Sequence, residues 1–372
     1  MTEFVLPLAS AGDPADVGGK GASLGELSRA GVAVPPGFAV TTTAFRAAID
    51  AIDPGGELRA QVEALPAADL GAIARVSAAV REKITAAPLP ASLAAAITTA
   101  YAALGPAGAD PDVAVRSSAT MEDSSAASFA GLQDSYLGVA GAVAVLGHVR
   151  RCWASMYNDE SVTYRRRLAM PEQSLGMAVV VQLMVRPRAA GVMFTRSPVT
   201  GDRSVVAIEG TWGLGSALVA GDVTPDSFVI SKITGEITGR RVSAKDRIHS
   251  YVQNGHGVAV ADTPADLRSA PCLADEEIRA LAAIAGRVEA HYGVPQDIEW
   301  ALLEEPLSPA VPPAAGSFGQ PASPAPAASG TERIVLLQSR PETVWAARAA
   351  APVAAPKARP ADHVLALFGK PL

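Results

Sequence analysis

Apolar residues change their spacing near residue 176, from mostly helical before it to mostly strand-like after it. Between residues 19 and 30, Leu24 and Leu27 recur at helical spacing, and Gly31 followed by Pro35-Pro36 closes the segment. Residues 56–104 are alanine-rich, with Leu, Ile and Val at helical intervals broken by Pro66, Pro88 and Pro90, which predicts several short helices. "DVAVRSS" (112–118) reads as a strand running into a polar loop. Residues 149–168 place Trp153, Met156, Tyr157, Tyr164 and Leu168 on one side of a predicted helix. Beyond 176 come the strands "MAVVVQLMV", "AAGVMFT", "VVAIEG" and "DSFVI", separated by turn residues. Asp275-Glu276-Glu277 open a strong helix, with Asp275 as its expected cap and Ile278, Leu281, Ile284 and Val288 as its buried face. "QDIEWALL" and "RIVLLQSR" close the pattern as two strands. This order predicts an α+β protein of two lobes, with a cleft between them where a ligand sits.

Two stretches break the pattern. Residues 306–330 are low-complexity Pro, Ala, Ser and Gly, too poor in apolar surface to fold, and read as a disordered insertion in the turn of the closing hairpin. A second Ala/Pro linker, 346–361, leads to the apolar end "HVLALFGKPL", which would suit docking to a partner on a flexible tether. The expected division is 1–175, 176–345 and 346–372.

Composition narrows the classes. A net charge of −6 argues against a nucleic-acid surface, and the run Arg165-Arg166-Arg167 reads as a solvated helix face. Two cysteines are too few for a disulfide framework or a zinc site. No secretory signal is expected at the N-terminus, and the best apolar run, "AVVVQLMV" (178–185), is strand length. The expectation is a soluble cytoplasmic protein with neither nucleic-acid nor membrane partners.

"DVGGKGASLGEL" (16–27) looks like a phosphate cradle but fails the Walker A pattern, because Pro14 replaces the leading Gly and Gly21 the Ser/Thr. In the closing hairpin, alternate residues share a face, so Asp297 and Glu299 point one way, as do Gln338 and Arg340. If those faces meet, two carboxylates, an amide oxygen and a guanidinium converge, a set suited to magnesium and phosphoryl oxygens. The same residues would also make a surface salt-bridge ladder. "VRSSATMEDSSAASFAG" (115–131) has the small residues of an anion-binding lid, and equally those of an ordinary polar loop. "GLG" in 209–229 is weak as a nucleotide loop. His148, His249, His256, His291 and His363 show neither metal spacing nor a neighbouring Ser or Cys in a nucleophile context.

Taken together, "GGKGASLGEL…GVAVPPGFAVTT", "VAVRSSATMEDSSAASFAGLQDSYL", "GVMFTRSPVTG", "WGLGSALVAGDVTPDSF" and "DIEWAL…LLQSRPETVW" resemble, in order, the nucleotide-binding part of phosphoenolpyruvate synthase, pyruvate phosphate dikinase and rifampin phosphotransferase. The resemblance implies an ATP-grasp fold with ATP between two lobes. It implies that Lys20 and Arg116 touch the ATP phosphates and that Arg340 steadies the transferring groups. Glu299 and Gln338 would hold Mg2+ with Asp297 close by, and Gln182, Met184 and Val185 would border the adenine. One departure is Arg196-Ser197, where many relatives carry an acidic or amide residue.

Members of this family pass phosphate through a histidine on a swivelling domain, in a Thr-Ser-His-Ala-type context that no histidine here shares. The resemblance therefore implies the ATP-binding subunit of a two-component dikinase-type phosphotransferase. A partner subunit would carry the phosphohistidine domain and the acceptor site, as in phenylphosphate synthase and related aryl phosphate synthases, with a phenol the preferred acceptor. Alternatives are a split phosphoenolpyruvate synthase subunit acting on pyruvate, a self-contained ATP-grasp ligase or kinase, and a non-catalytic nucleotide-binding module.

Overall fold

Two antiparallel sheets carry the architecture of the computed structural model, which describes residues 3–120, 123–124, 127–128, 135–252, 256–306, 331–343 and 345. The first sheet has the order β1 (Val5–Pro7), β2 (Gly37–Val40), β7 (Met177–Leu183), β3 (Val113–Ala119), β6 (Ser135–Val139). The second runs β11 (Ile237–Arg241), β10 (Asp226–Ser231), β9 (Val205–Trp212), β8 (Pro187–Phe194), β14 (Gln296–Leu303), β15 (Ile334–Pro341). Two short ladders are also present: β4 (Asp123–Ser124) with β5 (Ala127–Ser128), and β12 (Arg247–Tyr251) with β13 (Val258–Asp262). The contacts divide the chain into Met1–Glu342 and Thr343–Leu372. The insertion expected at 306–330 lies, apart from Pro306, outside the described residues, as do the tail from 346 and most of the lid-like stretch within 115–131.

The first core packs α2 (Thr42–Ile52), α4 (Leu70–Ala86), α5 (Ala91–Ala102) and α6 (Ala142–Ser155) on the five-stranded sheet. Trp153 is its largest buried side chain and meets Phe45 edge-on, ring centres 5.9 Å apart. The short α3 (Glu57–Glu63) adds Val62. In the second core, α10 (Asp275–Tyr292) buries Ile278, Leu281, Ile284 and Val288 against the six-stranded sheet, on the face that the periodicity predicts. Its cap differs from the expected one: Ala274 is the N-cap, and Glu277 reaches back to accept from the Ala274 N–H at 2.8 Å. Among the described residues α1 (Pro14–Arg29), α7 (Asp159–Arg167), α8 (Ser216–Val219) and α9 (Ala265–Arg268) are the other α-helices.

Three further expectations are corrected. The helix expected over 149–168 is two helices, α6 and α7, broken at Met156–Asn158, where Asn158 takes the extended N-cap conformation ahead of Asp159 and Glu160. The strand at 177–183, which the division at 175/176 sets with the second half, pairs with β2 and β3 in the first sheet. Its residues are buried on both faces up to Gln182, so no alternation assigns it to a sheet. The basic run is not simply a solvated face. Arg165 is buried against Glu172, with Nε and Nη2 each 3.3 Å from a carboxylate oxygen, and Arg166 pairs with the same acid. Among the described residues no single helix is long and apolar enough to cross a membrane.

Candidate functional site

A kink in α1 sets the position of Lys20. Gly18 takes φ +68° inside the helix, and a Cβ there would collide with the Ser118 carbonyl on β3. Ser118 clamps the kink, donating from Oγ to Val17 O at 2.8 Å and accepting from the Gly21 N–H at 3.2 Å. The glycine-rich stretch thus works as a close backbone contact between α1 and the first sheet. Gly18→Ala is expected to lower thermal stability by about 1–3 kcal/mol through the disfavoured φ and the collision, whereas Gly31→Ala, also at positive φ but in open space, should cost less. Thermal melts of the two variants check this.

The closing hairpin pairs in the register that brings the polar faces together. Asp297 stands opposite Arg340 and Glu299 opposite Gln338. Arg116, on β3 of the other sheet, reaches this hairpin. Its Nη2 donates to Glu299 Oε2 at 2.8 Å and to Gln338 Oε1 at 3.1 Å, and its Nη1 to Leu337 O at 3.1 Å. One guanidinium therefore joins the two sheets, and two oxygens of the hairpin converge on a single cationic nitrogen. Burial alone would favour the neutral acid at Glu299. The Arg116 charge and hydrogen bond, joined by Lys20 and Arg340, outweigh it and hold the carboxyl below its ordinary range. Asp297 goes the other way: burial, opposed by Arg340 and reinforced by Glu342, pushes it up to about 6. Arg340 Nε lies 3.6 Å from Asp297 Oδ2.

Beside this cluster lies a cavity of about 340 Å³ whose walls come from both sheets. Gln182, Met184 and Val185 line it where β7 leaves the first sheet, and Arg116 and Glu299 line it as well. Gln182 is held by donation from its Nε2 to Pro35 O at 3.2 Å, Met184 by its N–H to Asp112 O at 2.9 Å. Tyr251 Oη donates to Val185 O at 3.0 Å. Of the expected site residues, the cavity gathers Arg116, Gln182, Met184, Val185 and Glu299, while Gln338 joins them through Arg116.

Residues 15–360 match the family described as pyruvate phosphate dikinase, AMP/ATP-binding domain. The chain belongs to this family. It is 47% identical to a rifampicin phosphotransferase of Streptomyces sp over 294 residues, which cover 78% of this chain and 33% of that protein. It is 38% identical to the phosphoenolpyruvate synthase of Aeropyrum pernix over 355 residues, 88% of this chain and 41% of that protein. A probable phosphoenolpyruvate synthase of Methanothermobacter thermautotrophicus is 42% identical over 289 residues, with 77% and 42% covered. The chain thus spans about a third to two-fifths of the length of these relatives.

This family segment also contains cavity residues that sequence reasoning passed over. Leu214, Gly215 and Ser216 come from the "GLG" stretch that motif matching rated weakly, and Gly191 and Trp300 come from β8 and β14. Gly191 admits no side chain, since a Cβ would strike the Glu209 carbonyl on β9. Among the histidines, His256 is largely exposed beside Asp112 and His291 pairs with Glu26. His249 is buried between Ser216 and Asp222, neighbours that lie 33 and 27 residues away in sequence.

Proposed function

We propose that this chain is the ATP-binding part of a dikinase-type phosphotransferase, with an ATP-grasp arrangement in which the cavity between the two sheets takes the nucleotide. The observation that supports it most is Arg116 of the first sheet meeting Glu299 and Gln338 of the hairpin at the cavity wall. In this reading the first lobe extends through β7 and the second begins with β8. Gln182, Met184 and Val185 border the adenine, and Lys20, Arg116 and Arg340 face the phosphates.

The donor set fits a hard divalent cation. Glu299 Oε2 and Gln338 Oε1 already share one positive group, and Asp297 Oδ1 is buried with no hydrogen-bond partner among the described residues. Two carboxylates and an amide oxygen suit Mg2+, whose remaining positions phosphate and water would fill. Glu299 and Gln338 would hold it with Asp297 adjacent, and the ion would supply charge neutralisation on the phosphate oxygens. Arg116 also has a buried Nε without a hydrogen-bond partner among the described residues, a donor left for an anionic oxygen. These residues bind and orient the phosphates in a site partly shielded from water, which is most of what phosphoryl transfer asks of a protein.

The phosphate would go to a histidine outside the described residues, on a partner subunit that also holds the acceptor, for a net conversion of ATP, acceptor and water to phospho-acceptor, AMP and phosphate. Phenol is the first acceptor to test, with pyruvate and rifampicin as the other arms. The chain, combined with the protein carrying the phosphohistidine domain, should form AMP from ATP in the presence of the correct acceptor. ADP as sole product, or turnover by the chain alone, would point instead to a self-contained kinase or ligase.

A further inference from the structure

Ser216 lies on the cavity wall at the start of α8, with its Oγ 2.9 Å from His249 Nδ1. On the far side of the ring, His249 Nε2 lies 3.0 Å from Asp222 Oδ2. The segment leading into the serine is pinned to β12 through the backbone as well, because the Leu214 N–H donates to His249 O at 2.9 Å. Gly213 makes this approach with φ +69°, where a side chain would strike that same carbonyl. A fixed serine, a histidine and an aspartate thus end in one hydroxyl on an otherwise largely apolar wall, and the roles assigned above do not use them.

The chain of hydrogen bonds has a direction. An ionised carboxylate only accepts, so with the ring neutral the proton sits on Nε2 and points at Asp222, leaving Nδ1 as an acceptor. Ser216 then donates its single O–H to Nδ1, and its lone pairs are what remain for the cavity. We propose that Ser216 is a specificity residue that accepts a hydrogen bond from an N–H or O–H on the nucleoside part of the ligand, with His249 and Asp222 as positioning residues that fix this polarity. The inference rests on the nucleotide reading of the same cavity. A free hydroxyl would serve donors and acceptors alike. The fixed one disfavours a ligand that offers only an acceptor at that place, because two acceptors would face each other unpaired.

An adenine nucleoside has donors of two kinds, the sugar hydroxyls and the exocyclic amine, and equilibrium binding separates them. Wild type and Ser216→Ala are titrated calorimetrically with ATP, 2′-deoxy-ATP, 3′-deoxy-ATP and purine riboside triphosphate, which lacks the amine. The expected result is an affinity for ATP about tenfold weaker in Ser216→Ala, with one analogue binding both proteins equally because its donor is already missing. That analogue names the group read by Ser216. Asp222 is half exposed, so Asp222→Asn leaves the core intact. It lets the ring turn its proton toward Ser216 and should narrow the preference for ATP over that same analogue. Equal affinities of wild type and Ser216→Ala for all four ligands, or an equal loss on all four, would overturn the inference while leaving the cavity a nucleotide site. A wild-type protein that binds none of the four would overturn the nucleotide reading and this inference with it.

Discussion

Glu299→Gln is expected to reduce AMP formation by the chain combined with the proposed partner on the order of 10²–10³-fold, and to remove the Mg2+-dependent gain in nucleotide affinity. The side chain keeps its shape and one oxygen, but it no longer supplies the charge that pairs with Arg116 at 2.8 Å and that a hard cation seeks. The signs of the two effects separate a metal ligand from a merely structural acid. Without Mg2+, removing a negative charge beside the phosphate site should leave ATP affinity unchanged or raise it. With Mg2+, the affinity gained by the wild type should be missing. Binding isotherms at matched ionic strength, with and without the ion, distinguish these outcomes, because screening changes the charge effects on its own.

Lys245→Met should destabilise the protein by about 3–5 kcal/mol, although it lies away from the proposed phosphate site. Lys245 and Asp226 are both fully buried, with Nζ 2.6 Å from Oδ1. Asp226 Oδ1 also accepts from the Ser243 N–H at 2.9 Å, and Oδ2 from the Cys272 N–H at 2.8 Å. Removing the lysine leaves a carboxylate in the interior with two amide donors but no counter-charge. The double variant Lys245→Met/Asp226→Asn should recover part of the loss, because a neutral amide can still accept from one of those N–H groups. Urea denaturation of the single and double variants measures the recovery. The pair ties β10 to the segment before β12 and to the start of α10, so it supports the sheet that carries the hairpin.

Much of the candidate site's geometry was legible because its logic is local. Strand alternation placed Asp297 with Glu299 and Gln338 with Arg340, and the register then joined the two faces. The buried stripe of α10 was equally readable from a 3.6-residue period. What escaped depends on residues far apart in sequence. Nothing in a continuous apolar run such as 177–183 says which sheet it joins. The break between α6 and α7 did carry a signal, Asn158-Asp159-Glu160 at a helix start, but the aromatic spacing across it masked the interruption. The Ser216–His249–Asp222 chain had no sequence signature, since a one-turn helix, a strand and the segment after that helix supply one residue each. The glycines around Lys20 suggested an approach to phosphate, and the structure adds that Gly18 makes room for β3.

The central claim is that Mg-ATP occupies the cavity between the sheets with its phosphates at Arg116, Glu299 and Gln338. Calorimetric titration of the wild-type chain with ATP, with and without Mg2+, tests it most directly. Saturable one-to-one binding that Mg2+ strengthens is the predicted result, and no saturable binding under either condition would contradict it.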